Sequence, residues 1–423
     1  MFPAGHDVVV EIPIGGLVQP GFESLRDVFH DNWTPAGSDP GELGASLCVI
    51  VGGRVVVDLW GGWCDPPREH TWQRDTLVNA YSVGKGLSAT AVLALVDRGV
   101  LDLDEPLAQH WPGFAAHGKG DLTLRAALSH RAGLPCARRK VEVAEAFDFH
   151  AMAGILAGTE PWWSPGEAHG YHVNTLGHLI GEPASRATGH DFDVVVRDEV
   201  ALRCGADIHL GLPADQHHRL ADIHFPRAEL FDPTAAAPVA GGPTERADSG
   251  RAGSAAASDT DPPEPDLSEM RAGAYFNPPE LSGIGAVNTP AFRSAVIPST
   301  NMACTAAGVA RVYASLSGQP PADSELSLSS GLIAEATTTH SDGDDLVLGR
   351  PSRFGLGYML HTPERPVGIT EESFGHFGHG GSLGFADRSA GVGFCYLTNR
   401  PGDRWQMPRT RRLISELGSL LGC

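Results

Sequence analysis

Two short β-branched apolar runs, Leu47–Val51 and Val55–Trp60, flank Gly52-Gly53-Arg54. Apolar stretches of strand length around a glycine pair predict a β-hairpin. A third apolar run, Leu77–Tyr81, leads into Ser82-Val83-Gly84-Lys85. Leu87–Val96 is then apolar or small on every face except at Ser88 and Thr90. A helix with no polar face belongs in the centre of a protein, and Gly99 suits its C-terminal stop.

Residues 101–230 read as mainly helical, with loops rich in Pro, Gly and His. Thr123 is placed to cap a helix that ends near Gly133 and Pro135, and Thr175–Gly181 predicts a short helix with Pro183 starting another segment. Residues 232–273 change character: Ala, Pro, Gly, Ser, Asp and Glu dominate, and Val239, Leu267 and Met270 are the only larger aliphatic or thioether side chains. Such a stretch buries too little apolar surface to offset the entropy of ordering, which predicts a disordered insertion.

The C-terminal part returns to strands over Phe354–Leu360, Leu383–Ala386 and Val392–Thr398. Leu413, Ile414, Leu417, Leu420 and Leu421 then mark one face of an amphipathic helix. Strands at both ends with helices between predict an α/β (α+β) protein in two parts. Residues 1–100 and 291–423 would form an antiparallel sheet flanked by helices, and 101–290 an inserted, mainly helical domain.

Composition narrows the function. The chain has 423 residues, 42% hydrophobic and 19% charged, which rules out wholesale disorder. Its net charge of −20 repels phosphate backbones and anionic lipid, so neither nucleic acid nor membrane is an expected partner. Met1–Phe29 carries Asp7, Glu11, Glu23 and Asp27 and no signal-peptide core, and no run of eighteen apolar residues occurs. A soluble, cytoplasmic protein is the expectation. Seven widely spaced cysteines without a C-x-x-C fit free thiols in a reducing compartment.

The strongest chemical signal is Ser82 and Lys85, three residues apart at the start of the buried helix. Residues i and i+3 share a helix face, so hydroxyl and amine can meet. A serine hydroxyl needs a base, and lysine serves when burial lowers its pKa of about 10.4. A three-unit shift costs about 4 kcal/mol, so the site must be dry and preorganised. The helix N-terminus also aims amides at a developing oxyanion. Other patterns are weaker. His376 with His379, or His217 with His218, come without a metal-binding spacing such as H-E-x-x-H, so neither a metal nor another cofactor is expected. Gly380-Gly-Ser382-Leu-Gly384 spells the nucleophile elbow of α/β-hydrolases, but lacks the strand before and helix after that the elbow requires. Ser341-Asp342-Gly343 approximates S-D-N within a polar loop.

Further segments follow in a fixed order: Asp102-Leu-Asp-Glu-Pro106, Thr123-Leu-Arg-Ala-Ala-Leu-Ser-His-Arg-Ala-Gly-Leu-Pro135, Trp163-Ser-Pro-Gly-Glu-Ala-His-Gly-Tyr171 and Phe374-Gly-His-Phe-Gly-His-Gly-Gly-Ser-Leu-Gly-Phe385. With Tyr81-Ser-Val-Gly-Lys-Gly86, the chain resembles the serine β-lactamase-like hydrolases over roughly 20–230 and 274–415. It looks closest to the branch of class C β-lactamases, D-alanyl-D-alanine carboxypeptidases and β-lactamase-fold carboxylesterases. The resemblance implies Ser82 as nucleophile, Lys85 as its base and Tyr171 as a second proton-transfer group. It implies His376-Phe377-Gly378 as the third motif, with the backbone N–H groups of Ser82 and His379 as the oxyanion hole. His379-Gly380-Gly381 is an alternative register for that motif. Trp162 and Trp163 either line an acyl pocket or pack in the core.

Two departures from the lactamase pattern bear on the substrate. The third position of the Tyr171 motif is Val173, with Asn174 one place late, and histidine replaces lysine in the third motif. A neutral imidazole is a weak anchor for a carboxylate. The resemblance thus implies a serine hydrolase acting on small uncharged esters or lactones. The alternatives are a β-lactamase or D,D-peptidase, an acyltransferase, or a non-catalytic acyl-binding homologue.

Overall fold

The computed structural model describes residues 11–37, 39–225, 266–403 and 406–423. Its strands are Ile14–Val18 (β1), Gly44–Val51 (β2), Arg54–Gly62 (β3), Val78–Asn79 (β4), Ile208–His209 (β5), Ala303–Cys304 (β6), Ser341–Asp345 (β7), Arg350–Phe354 (β8), Met359–Leu360 (β9), Ser373–Phe377 (β10), Leu383–Asp387 (β11) and Val392–Thr398 (β12). Nine of them form one antiparallel sheet in the order β1-β3-β2-β12-β11-β10-β9-β8-β7. β2 and β12 lie side by side at its centre, with Cys48 opposite Cys395, so the two ends of the chain share one sheet as expected. The β2–β3 turn places Gly52 at φ 56° and Gly53 at φ 74°. Two consecutive left-handed residues match the twist of a hairpin, and glycine adopts them at least cost.

The helix Val83–Asp97 is the central element. Every residue from Val83 to Leu95 is buried, which explains the lack of a polar face. It lies between the large sheet and the helix Leu176–Thr188. Two glycines allow the segment 298–302 to pass close by. A Cβ on Gly177 would lie 2.5 Å from Pro298 Cβ, and one on Gly84 3.0 Å from Met302 Cβ. A small sheet, β4-β6-β5, anchors the entry to the central helix. The C-terminal helix Pro408–Leu421 buries Leu413, Ile414 and Leu417 and packs on the N-terminal helix Ser24–Asp31. Its Arg409 is buried and paired with Glu42 and Asp39. No helix among the described residues is long and apolar enough to cross a membrane. All seven cysteines are free thiols, and five are buried.

Three expectations need correction. Pro183 does not start a new segment: it lies inside the single helix Leu176–Thr188, whose residues 176–185 are all buried. Packing on both sides outweighs the one backbone hydrogen bond that proline removes. Phe354–Leu360 is not one strand but β8 and β9, broken at Gly355–Tyr358. Gly357 there has φ 82°, and a Cβ on it would lie 2.1 Å from Ala89 Cβ, so the break lets the sheet meet the central helix. The end of the segment expected to be disordered is helical over Leu267–Phe276. Asp266 caps it by accepting from Ser268 N and Glu269 N, and Met270 and Ala274 are buried. Residues 232–265 of that segment lie outside the described residues.

Candidate active site

The site begins with a forced turn. β4 ends at Asn79, Ala80 N donates to Met302 O at 2.9 Å, and Tyr81 takes the left-handed conformation at φ 50°. For a bulky residue this costs about 1–3 kcal/mol and persists only where the surroundings over-determine it. The turn sets Ser82 at the N-cap of the helix Val83–Asp97, and one helical turn later Lys85 Nζ stands 2.9 Å from Ser82 Oγ.

Lys85 is fully buried. Its other hydrogen bond runs to Ser299 O at 3.0 Å, and Nζ lies 4.9 Å from the centre of the Tyr171 ring. Among the described residues no carboxylate pairs with it. Burial therefore holds its pKa well below the ordinary lysine value. Its amine donates to both Ser82 Oγ and Ser299 O.

Tyr171 completes the group. Its ring is buried, stacks parallel to Phe354 at 5.9 Å and lies 5.8 Å from the His376 ring. Burial raises its phenol pKa well above the ordinary value, while a hydrogen bond with Ser82 acts in the opposite direction. Its backbone N–H donates to both oxygens of Asp345, at 3.0 and 3.1 Å. Ser82, Lys85 and Tyr171 thus share one compartment, although Tyr171 comes from a loop 86 positions beyond Lys85 in the sequence.

The third motif arrives on β10. His376 is fully buried, and its Nδ1–H donates to Phe377 O at 2.7 Å, so the neutral ring carries its lone pair on Nε2. Burial, reinforced by Lys85, pushes its pKa down to about 3. His379 is lowered to about 4 by burial, and its ring lies 5.5 Å from Tyr81. Gly378 makes this approach possible: a Cβ there would lie 2.6 Å from Ala80 O and 2.9 Å from Ser382 Cβ. Both registers of the motif therefore border the Ser82 turn, His376 on the Tyr171 side and His379 on the Tyr81 side.

The remaining expected residues are placed as follows. Trp162 is buried, donates to Cys136 O at 3.1 Å and carries Arg138 over its ring at 4.2 Å. Trp163 is half-buried, donates to Ala168 O at 3.1 Å and meets His172 edge-on. Val173 packs in the same apolar cluster as Trp162, Met270 and Val347. Asn174 is consumed by structure: its amide nitrogen donates to Ala274 O and Ser282 Oγ, and its oxygen accepts from Thr300 Oγ1. Ser382 is buried, at the start of β11 rather than between a strand and a helix. Among the described residues no group of three or more His, Cys, Asp or Glu side chains is arranged to hold a metal ion. Sequence reasoning missed Asp345, His130 and the Ser299 carbonyl.

Comparisons with known proteins show the family and the fold. The family described as Beta-lactamase matches residues 29–419. The chain is 32% identical over 361 residues to the esterase/beta-lactamase LipL of Mycobacterium tuberculosis, covering 84% of this chain and 77% of that protein. Its fold is similar to a crystal structure of a family VIII carboxylesterase, with TM-score 0.82, 33% identity, and coverage of 96% of this chain and 100% of the other. A penicillin-binding protein homologue from Caulobacter crescentus gives 0.79 and 32%, with 96% and 100% covered. The chain belongs to the Beta-lactamase family and is a serine hydrolase with the mixed α/β fold of that family.

Proposed function

We propose that this protein hydrolyses small uncharged carboxylic esters or lactones through a covalent acyl-Ser82 intermediate. The observation that carries the reading is the 2.9 Å contact between Ser82 Oγ and a buried Lys85 that has no carboxylate beside it among the described residues. The surroundings push Lys85 down and Tyr171 up, so the neutral amine is the base and the protonated phenol the acid. As Ser82 Oγ attacks the carbonyl carbon, its proton passes to Lys85 Nζ. The backbone N–H groups of Ser82 and His379 receive the oxyanion. The tetrahedral intermediate collapses when Tyr171 Oη protonates the departing alkoxide, and Lys85 returns a proton to the phenol. Water repeats the sequence on the acyl-enzyme, releasing the acid and restoring Ser82. An oxyanion donor is worth about 10²–10³ in rate and a positioned acid–base about 10²–10⁴.

Preference for uncharged substrates is supported by the third motif. His376 and His379 are held neutral by burial and supply no positive charge to a substrate carboxylate. The carboxylesterase relative acts on esters by its name, consistent with the same reading. The name of the Mycobacterium tuberculosis relative joins esterase and β-lactamase, which favours slow β-lactam opening as a second activity of the same acyl-enzyme. The test is turnover of p-nitrophenyl butyrate and of nitrocefin by wild type, Ser82→Ala and Lys85→Ala. Ester turnover well above nitrocefin turnover, lost in both variants, is expected. Full ester activity in Ser82→Ala would sink the reading.

A further inference from the structure

His130 has an unusual place beside the site. The helix Leu124–Leu128 ends at Ser129, and His130 follows in the left-handed conformation, φ 62°. Bulky residues rarely adopt it. Its carbonyl accepts from Gly170 N at 3.1 Å, and its ring Nδ1 accepts from His172 N at 3.0 Å. The amide between them, Tyr171 N, goes to Asp345. Three consecutive amides centred on Tyr171 are therefore held by two residues distant in sequence. The His130 ring is fully buried, 5.1 Å from the Tyr171 ring and 4.3 Å from Phe354, on which Tyr171 stacks.

Both partners are themselves fixed. Asp345 is buried and also accepts from Val347 N, Leu348 N and Ser352 Oγ. The loop carrying His130 is tied to the Tyr171 loop again, by Leu134 N donating to His172 Nε2 and Trp162 N donating to Gly133 O. Because Nδ1 of His130 accepts, its ring proton sits on Nε2. We propose that His130, with Asp345, is a positioning residue for proton transfer, clamping the backbone on both sides of Tyr171 so that the phenol meets Ser82. This rests on Tyr171 acting as the proton-transfer group. A displacement of about 1 Å costs on the order of 10²-fold in such a step.

The test separates clamping from general support. His130→Gly keeps the left-handed backbone without strain but removes the acceptor and the ring. His130→Asn tolerates that backbone and places an oxygen where Nδ1 stood. His130→Gln matches the ring in bulk and moves the acceptor one atom further. Each is assayed with p-nitrophenyl butyrate, alone and combined with Tyr171→Phe, beside urea unfolding. His130→Gly and His130→Gln are expected to lower kcat about 10- to 100-fold, with KM changing less than about 3-fold. His130→Asn is expected to recover most of that loss. In the Tyr171→Phe background His130→Gly should cost nothing further, because the residue acts through the phenol. An equal loss in both backgrounds, or wild-type kcat in His130→Gly or, should that variant not fold, in His130→Gln, would overturn the clamp while leaving the ester reading intact. Wild-type kcat in Tyr171→Phe alone would overturn both.

Discussion

Replacing Lys85 by methionine should make the protein more stable and nearly inactive. Lys85 is fully buried, and among the described residues it has two hydrogen-bond partners, Ser82 Oγ and Ser299 O, and no paired carboxylate. In the unfolded chain a lysine is protonated up to about pH 10.4, so folding at pH 7 must remove that proton, at about 1.4 kcal/mol per pH unit. For a Lys85 that is neutral at pH 7, the cost is about 5 kcal/mol. Methionine removes it, but leaves Ser299 O unpaired at about 1–3 kcal/mol. A net gain of about 2–4 kcal/mol remains. The sign follows from linkage: a base whose folded pKa is depressed destabilises most at low pH, and the penalty fades as pH rises toward 10.4. Between pH 7 and pH 9 the advantage of Lys85→Met should therefore shrink by about 3 kcal/mol. Lys85→Arg, which cannot lose its proton, should be destabilised by several kcal/mol. Urea unfolding of the three proteins at both pH values measures this, with p-nitrophenyl butyrate turnover beside it. An advantage identical at pH 7 and pH 9, or a less stable Lys85→Met, would refute a neutral Lys85.

Two more outcomes can be checked. His172, His178 and His376 are fully buried, and burial lowers their pKa values to about 3, 4 and 3. They stay neutral in the folded protein while the unfolded chain takes up protons below about pH 6.5, so stability falls as pH drops from 7 to 5, by about 2 kcal/mol for each ring; urea midpoints across that range test it, and a flat profile contradicts it. Gly378→Ala would set a methyl 2.6 Å from Ala80 O, forcing β10 away from the Ser82 turn. Its kcat for p-nitrophenyl butyrate should fall at least about 10-fold, and an unchanged kcat would show that this approach is not needed.

The parts of this molecule legible in its sequence are those that local rules decide. The β2–β3 hairpin is written in its glycine pair, and the central helix in an unbroken apolar stretch. Ser82 and Lys85 meet because i and i+3 always share a helix face. The remainder depends on distant partners. Asp345 sits in the polar run Asp342–Asp345, which reads as a solvated loop, yet β7 carries its carboxylate to an amide 174 residues away. His130 looks like one loop residue among many until the Tyr171 loop folds onto it. Pro183 signals a helix end by its own geometry, and burial against the central helix overrules it. Asp266, by contrast, is an ordinary cap signal hidden by the biased composition around it.

The central claim is that Ser82 becomes acylated, and covalent labelling tests it most directly. The protein is treated with a fluorophosphonate and its intact mass measured, followed by peptide mapping of the adduct in wild type and Ser82→Ala. One adduct on Ser82 in wild type, and none in the variant, is the expected result. Labelling of Ser382 or any other serine, with Ser82 unmodified, would contradict it.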